Sequence, residues 1–196
     1  MSSLPEKKVI GITGTMGAGK STATHILSKH IPVTDCDQIN ANLLLPGQDG
    51  YLALKKKGML MIDEQGFLDK KATAARVFSD TEYKKEYEQI LHPLILQKME
   101  EWISSQTEIC AVEVPLLFEL GLEHSFDEIW CISCSEQKAI QRLMDYRGFQ
   151  KEEALARIAK QYSRTQKEEN SDVVIMNDGT QLELEKKIEE LLNKQA

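Results

Sequence analysis

A glycine-rich stretch near the amino terminus has the residue types and spacing that bind phosphate. Residues 14–21 read Gly-Thr-Met-Gly-Ala-Gly-Lys-Ser, which fits the pattern G-x-x-x-x-G-K-[ST]. Glycines let the backbone adopt positive φ and approach an anion closely, so that successive N–H groups can surround it. The stretch follows the apolar pair Val9-Ile10 and precedes a helical pattern, whose positive end would add to the attraction. We therefore expect a nucleotide-binding loop made of Gly14, Thr15, Met16, Gly17, Ala18, Gly19, Lys20, Ser21 and Thr22.

Two side chains of this loop have chemistry of their own. We expect Lys20 to bridge the outer phosphates of a nucleotide and to act in catalysis, because phosphoryl transfer requires cations around the moving group. Ser21 is expected to supply an oxygen ligand to Mg²⁺. Both roles are common to many proteins with such a loop.

Four classes of protein share the loop: small-molecule kinases, signalling GTPases, motor-type ATPases, and regulatory modules that bind a nucleotide without chemistry. The stretch Asp63-Glu-Gln-Gly66 matches the DxxG pattern of GTPases, but the chain has no Asn-Lys-x-Asp to recognise guanine. We interpret residues 63–66 as a turn between helices, because such short patterns arise often by chance. The chain's size disfavours a motor ATPase, which leaves a small-molecule kinase and a nucleotide sensor.

Two carboxylates, Asp35 and Asp37, follow the second apolar run of the chain. In an open parallel sheet, ligands gather at the carboxyl ends of the strands, so both side chains should point toward the crevice of the phosphate loop. A positioned carboxylate can accept the proton of an attacking hydroxyl, which makes this pair of carboxylates a candidate for general-base catalysis. The alternative is that Asp37 caps the helix that follows it. The spacing alone leaves both interpretations open.

The stretch 137–167 is strongly basic within an acidic protein. It contains eight basic and three acidic residues, a net charge of +5, whereas the whole chain has a net charge of −7. Four of the five arginines lie in it, among them Arg142, and the planar guanidinium group matches phosphate oxygens. We interpret the stretch as a helical lid that closes over the nucleotide and excludes water. A solvated amphipathic helix pair is the alternative.

Two proline-containing segments are candidates for the acceptor side of the site. His92 precedes Pro93 within a long helical pattern, where a proline usually kinks the helix, and such a kink could present His92 to a ligand. The segment Pro115-Leu-Leu-Phe-Glu119 could form an apolar wall of the acceptor site, with Glu113 or Glu119 near the metal ion. Packing explains both segments equally simply, since a lone histidine is most often a packed or capping residue.

Short apolar runs that alternate with helical patterns indicate which elements position these residues. They predict an α/β fold, with a parallel sheet of about five strands and helices on both faces. The predicted strands are Lys8–Thr13, Pro32–Asp35, Ile109–Val114, Glu128–Ser133 and Val173–Met176. The predicted helices are Lys20–Lys29, Gln38–Leu45, Thr81–Ser105, Glu136–Tyr146, Lys151–Tyr162 and Gln181–Asn193. More than seventy residues between Asp35 and Ile109 contain no convincing strand, and we interpret them as a helical insertion sized to cover a substrate, or as ordinary packing helices.

The composition is that of an ordinary globular protein, 41% hydrophobic and 28% charged. Its acidic net charge disfavours nucleic-acid binding, and apolar runs of about five residues are too short for a membrane span of roughly 20. The first residues lack the apolar core of a secretory signal, so we expect a cytoplasmic protein with reduced cysteines. Cys131 and Cys134 form a CxxC pair, which we interpret as buried packing residues rather than a metal or redox site.

Motifs that follow one another along the chain resemble those of the dephospho-coenzyme A kinase family. They cover essentially the whole chain and read GITGTMGAGKST, VTDCDQI, EQILHPLI, VPLLFELGL, QRL, RIAKQ and SDVVIMNDG. The first motif is generic, whereas the aspartate pair, the His-Pro and the Pro-Leu-Leu-Phe-Glu in this order are far more specific. The resemblance implies a P-loop kinase fold and ATP- and Mg²⁺-dependent phosphorylation of the ribose 3′-hydroxyl of dephospho-coenzyme A. Another small-molecule or nucleotide kinase, or a nucleotide sensor without catalysis, is the alternative.

The resemblance also implies roles for individual residues. Asp37 looks like the family's general base, and Arg142 looks like its lid arginine on the transferred phosphate. The stretch similar to the loop that borders adenine includes Asn177 and Gly179. The positions that resemble the acceptor side are His92, Pro115, Leu116, Phe118 and Glu119.

The family's organisation implies a single kinase domain over residues 1–196. Its core would comprise residues 1–37, 106–136 and 170–196, with an acceptor-binding insertion at about 38–105 and a lid at about 137–169. We expect a monomer whose partner is the small-molecule acceptor, with neither nucleic acid nor membrane.

Two motifs depart from the family pattern. The family usually has Arg-Leu-x-x-Arg-Asp-Gly in the lid, where this chain has Tyr146 in place of the second arginine and Arg147 in place of the aspartate. A shift by one residue could let Arg147 substitute. Lys70 stands where the family has an arginine, which loses a forked contact.

Overall fold

The computed structural model describes residues 7–195. Residues 1–6 and residue 196 lie outside the described residues. The prediction about a secretory signal therefore concerns residues that are partly outside the described range. The chain divides into two compact units. The first comprises the residues up to Thr34 and from Gln106 onward, and the second comprises Asp35–Ser105.

A five-stranded sheet forms the centre of the first unit. The strands are β1 (Val9–Gly14), β2 (Val33–Asp35), β3 (Cys110–Glu113), β4 (Glu128–Ser133) and β5 (Val173–Met176). Their order is β2-β3-β1-β4-β5, and β1 pairs in parallel with both β3 and β4, as does β4 with β5. The predicted α/β fold with a five-stranded parallel sheet is confirmed.

The α-helices of the described residues are numbered in chain order. They are α1 (Lys20–Leu27), α2 (Cys36–Leu43), α3 (Asp49–Lys56), α4 (Lys70–Ser79), α5 (Thr81–Ser105), α6 (Glu136–Arg147), α7 (Lys151–Ile158), α8 (Arg164–Glu169) and α9 (Gln181–Asn193). Helices α3, α4 and α8, which have eight, ten and six residues, were not predicted individually. Within residues 7–195, no helix has both the length and the apolar character needed to cross a membrane.

Apolar side chains on both faces of the sheet form the core of the first unit. Ile10 and Ile12 of β1 and Trp130 of β4 are fully buried, together with Ile26 of α1 and Ile188 of α9. A parallel strand that is covered on both faces has to be apolar along most of its length. This constraint makes the strands of the first unit recognisable from their Val and Ile content.

The second unit has a small core of its own. Leu54, Met59, Tyr83 and Leu91 are buried there, and the Tyr83 hydroxyl donates a hydrogen bond to the Met59 carbonyl at 2.7 Å. Helix α5 runs from Thr81 to Ser105 across Pro93, which confirms the helix predicted over these residues. The neighbouring helices α2, α3 and α4 all contact α5, and this packing outweighs the hydrogen bond that a proline removes.

The DxxG stretch forms a turn between α3 and α4, as predicted. The Asp63 carboxylate accepts hydrogen bonds from the backbone N–H groups of Gln65 and Phe67, at 3.0 and 2.9 Å. Ile62 and Leu68 pair as an isolated antiparallel bridge on either side of it. A short aspartate-nucleated turn therefore accounts for this motif.

Three of the four cysteines are buried, and none forms a disulfide. Burial raises the pKa of the Cys131 thiol to about 11, and it also raises the pKa of Cys110 and Cys134. Because the thiolate is the reactive form, these three thiols should be inert in the folded protein. The interpretation of Cys131 and Cys134 as buried packing residues agrees with their exposure of 1% each.

We expect thiol labelling at pH 8 to follow these differences. Ellman's reagent should modify the partly exposed Cys36 at least about 100-fold faster than the three buried thiols. The Cys36→Ser variant should lose the fast phase, and urea should make the remaining thiols react. A fast phase that persists in this variant under native conditions would contradict the burial described here.

Candidate active site

The phosphate loop, residues 14–22, joins the end of β1 to the first turn of α1. Gly17 and Gly19 have φ values of 80° and 93°, in the left-handed region. A Cβ at Gly17 would lie 2.6 Å from the Ala139 carbonyl oxygen, and a Cβ at Gly19 would lie 2.3 Å from Nδ2 of Asn177. Both positions therefore exclude a side chain on conformational and on steric grounds.

Lys20 folds back over this loop. Its Nζ donates hydrogen bonds to the carbonyl oxygens of Gly14, at 2.9 Å, and Thr15, at 3.1 Å. The ammonium group thus stays beside the amino end of α1, where the helix dipole also favours an anion. Phosphate oxygens make stronger, charge-assisted hydrogen bonds than these neutral carbonyls, so the lysine can exchange its partners when a nucleotide binds.

Arg142 and Asn177 hold the outer side of the loop. Asn177 is buried, and its Nδ2 donates to the Ala18 carbonyl at 2.9 Å. The Arg142 guanidinium donates to the carbonyls of Gly17, Ala18 and Asn177, at 3.4, 3.2 and 2.8 Å. In a phosphate nest the N–H groups face the anion and the carbonyls face away from it. The predicted lid arginine therefore lies against the carbonyl side of the loop in this structure.

The turn after β5 is tied to the start of α6. The Asp178 carboxylate accepts hydrogen bonds from the backbone N–H and the hydroxyl of Ser135, at 2.9 and 3.0 Å. The Ser135 backbone N–H is the main reason that the pKa of Asp178 lies below its ordinary value. Gly179 follows as an exposed residue immediately before Thr180, which caps α9. The predicted adenine-side stretch is thus anchored at a fixed place beside the phosphate loop.

A buried carboxylate lies at the carboxyl end of β3. Glu113 is 5% exposed and accepts a hydrogen bond from the Thr24 hydroxyl of α1 at 2.8 Å. It is adjacent in the sheet to Ile12 of β1, two residues before the phosphate loop begins. Magnesium ions at phosphate sites are usually held by one or two protein oxygens together with phosphates and water. The Glu113 carboxylate and the exposed Ser21 hydroxyl, one turn before Thr24 on α1, fit such an ion chemically.

The Pro115–Glu119 segment divides between the core and the surface. Leu117 and Phe118 are buried, whereas Leu116 is 37% exposed. The Glu119 carboxylate pairs with the Lys167 ammonium at 3.0 Å and accepts the Tyr162 N–H at 2.8 Å. The Glu119 carboxylate thus binds an internal cation, and its expected place near a metal ion stays a prediction.

In the second unit, Asp35 rather than Asp37 caps helix α2. The helix begins at Cys36, and Oδ1 of Asp35 accepts the Asp37 N–H at 2.7 Å. Asp37 lies in the first turn with an exposed side chain, where the helix dipole favours its negative charge. The capping interpretation of Asp37 is therefore wrong. His92 is half-buried on α5, next to the buried Leu91.

With this geometry established, comparison with known proteins identifies the family. A family model described as dephospho-CoA kinase matches residues 8–183. The chain belongs to the dephospho-CoA kinase family. The dephospho-CoA kinase of Lactobacillus johnsonii is 34% identical over 189 residues, which cover 93% of this chain and 96% of that protein.

Solved structures share the fold of this chain. A Thermus thermophilus protein has a TM-score of 0.78 and 30% identity, and the match covers 96% of this chain and 98% of that one. A shikimate kinase from Acinetobacter baumannii has a TM-score of 0.54 at 16% identity, over 97% of this chain and 96% of its own. The second likeness concerns the fold alone.

Sequence reasoning missed two residues that contact the predicted site. The Gln161 side-chain oxygen accepts the backbone N–H of Met16 in the phosphate loop at 3.1 Å. Lys167 is fully buried beside Pro115 and Glu119. Gln161 ends the RIAKQ motif, which was a usable signal, whereas Lys167 was counted only as part of the basic stretch. No sequence pattern marks a lysine as buried, because lysines are exposed in almost all proteins.

Replacing Gly19 by alanine should remove nucleotide binding. The new Cβ would collide with Asn177 and displace the loop amides, and we expect ADP affinity to fall by on the order of 100-fold or more. Gly66→Ala is a matched control, because Gly66 has a similar φ of 84° and a Cβ at this position would have no atom within 4 Å. The control should lose about 1 kcal/mol of stability and keep its ADP affinity. Isothermal titration calorimetry measures the affinity and urea denaturation the stability, and an equal loss of affinity in the two variants would contradict the steric explanation.

Proposed function

We propose that this protein transfers the γ-phosphoryl group of ATP to the ribose 3′-hydroxyl of dephospho-CoA, giving CoA and ADP. Membership of the dephospho-CoA kinase family, matched over residues 8–183, carries this proposal. The phosphate loop between β1 and α1 supports it independently. The alternative of a nucleotide sensor without catalysis lacks comparable support.

The reaction requires one bond to form and one to break in line. The acceptor oxygen attacks the γ-phosphorus, the bond to the bridging oxygen of ADP breaks, and the proton of the hydroxyl passes to a base. We assign Asp37 as this base, because it is exposed at the amino end of α2 and does not cap the helix. The acceptor-side roles of His92, Pro115, Leu116, Phe118 and Glu119 belong to the same proposal.

Cations around the transferring group supply most of the catalytic stabilisation. We assign Lys20 and Arg142 to this role, since both bind neutral carbonyls of the phosphate loop that phosphate oxygens can replace. Ser21 and Glu113 would hold Mg²⁺, which neutralises phosphate charge when it is bound. Asn177 and Gly179 would border the adenine.

The activity is tested with the full chain, ATP, Mg²⁺ and dephospho-CoA. We expect ADP release that depends on the acceptor and a product one phosphate heavier than dephospho-CoA, detected by mass spectrometry. ADP release only with nucleoside monophosphates would indicate a different kinase. Nucleotide binding without acceptor-dependent release would indicate a sensor.

Changing Asp37 to asparagine should abolish most turnover and leave ATP binding intact. The amide keeps the size of the side chain but cannot accept the hydroxyl proton, so we expect kcat to fall by about 10²- to 10⁴-fold. Asp35→Asn is the matched control, because asparagine caps a helix as well as aspartate does. Steady-state kinetics decide the matter, and equal activity of the two variants would remove Asp37 from the mechanism.

Changing Arg142 to alanine should reduce kcat by on the order of 10³-fold, by comparison with other arginines that stabilise a transferring phosphoryl group. Arg157→Ala provides a control within the same stretch, because Arg157 is exposed and pairs with Glu153 at 2.9 Å. We expect that variant to retain its turnover. A loss below about tenfold for Arg142→Ala would leave Arg142 only the role of holding the loop.

A further inference from the structure

Helix α8 contains a lysine whose side chain is completely buried. Lys167 has an exposure of 0%, and its Nζ donates a hydrogen bond to the Pro115 carbonyl at 2.7 Å. The same ammonium lies 3.0 and 3.2 Å from the two oxygens of Glu119. Removing an ammonium group from water is costly unless hydrogen-bonded partners compensate for it. Three acceptors from a single segment, Pro115–Glu119, provide that compensation.

The Glu119 carboxylate also connects the Pro115–Glu119 segment to the backbone just before α8. One of its oxygens accepts the backbone N–H of Tyr162 at 2.8 Å. The adjacent residue, Gln161, accepts the backbone N–H of Met16 with its side-chain oxygen. Two neighbouring residues therefore contact the Pro115–Glu119 segment and the phosphate loop.

The opposite side of α8 is attached to the end of β4. Arg164 donates to the Cys134 carbonyl at 3.2 Å, and Glu168 accepts from the Ser133 hydroxyl while pairing with Arg164 at 3.3 Å. Residues 161–168, which we call the brace, thus contact the phosphate loop, the Pro115–Glu119 segment and the carboxyl end of β4. These contacts fix the brace on three sides within the first unit.

We propose that Lys167 is a positioning residue, which holds the Pro115–Glu119 segment at a fixed place relative to the phosphate loop through the brace. The inference rests on the proposed function, in which this segment lies on the acceptor side. A buried ion pair is a weak contributor to stability compared with apolar residues of the same size. Its directional contacts instead restrict the Pro115 carbonyl and the Glu119 carboxylate to one geometry. A displacement of about 1 Å at an acceptor-binding segment is sufficient to slow phosphoryl transfer by about 10²-fold.

A double-mutant cycle of Lys167→Met and Glu119→Gln distinguishes a positioning role of Lys167 from a purely structural role. Each single variant leaves one buried group without its charged partner, so we expect a lower urea midpoint for both. The double variant has no buried charge at this place and should recover much of that stability. It also lacks the ammonium that binds the Pro115 carbonyl, and its acceptor kcat/KM should remain about 30-fold or more below that of the unmodified protein.

Nucleotide affinity provides the second measurement. Asn177 and Arg142 still hold the phosphate loop in these variants, so we expect the Kd for ADP to change by less than about threefold. Lys186→Met, on the exposed face of α9, is the matched control and should keep both the kcat/KM and the Kd. If the Lys167 variants do not fold, Glu119→Gln alone should show the same split, because its side chain is 15% exposed and tolerates the change more easily.

The outcomes distinguish the two proposals. If the acceptor kcat/KM of the double variant recovers together with its stability, the positioning role is overturned. A loss of ADP affinity as large as the loss of acceptor kcat/KM would also overturn it. Activity that stays low both in a stable double variant and in Lys167→Met, which keeps the Glu119 carboxylate, supports it when the ADP affinity of both variants is normal. Absence of CoA formation by the unmodified protein and by Lys186→Met would refute the proposed function instead.

Discussion

The turn from β1 to α1 has to present backbone N–H groups to an anion while its outer side is filled by the protein. Gly17 and Gly19 satisfy both demands, because a Cβ at either position would meet Ala139 or Asn177 at less than 3 Å. The two glycines therefore serve the packing of the loop as much as its contact with a ligand. Helix α6 and the turn after β5 must lie where they do for the loop to keep its shape.

This dependence explains why the ends of β4 and β5 carry so many polar contacts. Ser135 binds Asp178, and Asn177 binds Ala18, so that the turns after both strands are linked to one another and to the phosphate loop. Parallel strands bring such turns to the same edge of the sheet, which is where α/β proteins bind ligands. In this protein the edge is also a continuous hydrogen-bonded support for the loop.

The features that could be predicted from sequence are those set by local chemistry. The strands were recognisable because burial on both faces demands continuous Val and Ile, and the phosphate loop was recognisable because its glycines are obligatory. Tertiary contacts decided the features that were missed. Asp35 rather than Asp37 caps α2, because the helix begins at Cys36, two residues before its predicted start at Gln38. The burial of Lys167 depends on Glu119, which is 48 residues away in the sequence and follows a different strand.

In the basic stretch 137–167, the partners of each cation say more about its availability to a phosphate than the net charge of the stretch does. Arg164 and Lys167 face the carboxylates of Glu168 and Glu119, so much of the positive charge of residues 137–167 is cancelled locally. Arg142 differs from them, because its contacts at the phosphate loop are neutral carbonyl oxygens. A guanidinium group can leave such acceptors for a phosphate oxygen without breaking an ion pair, and the new bond is stronger because both partners are charged. Unlike Arg164 and Lys167, Arg142 can therefore exchange its protein acceptors for a phosphate oxygen without breaking an ion pair of the kind those two residues make.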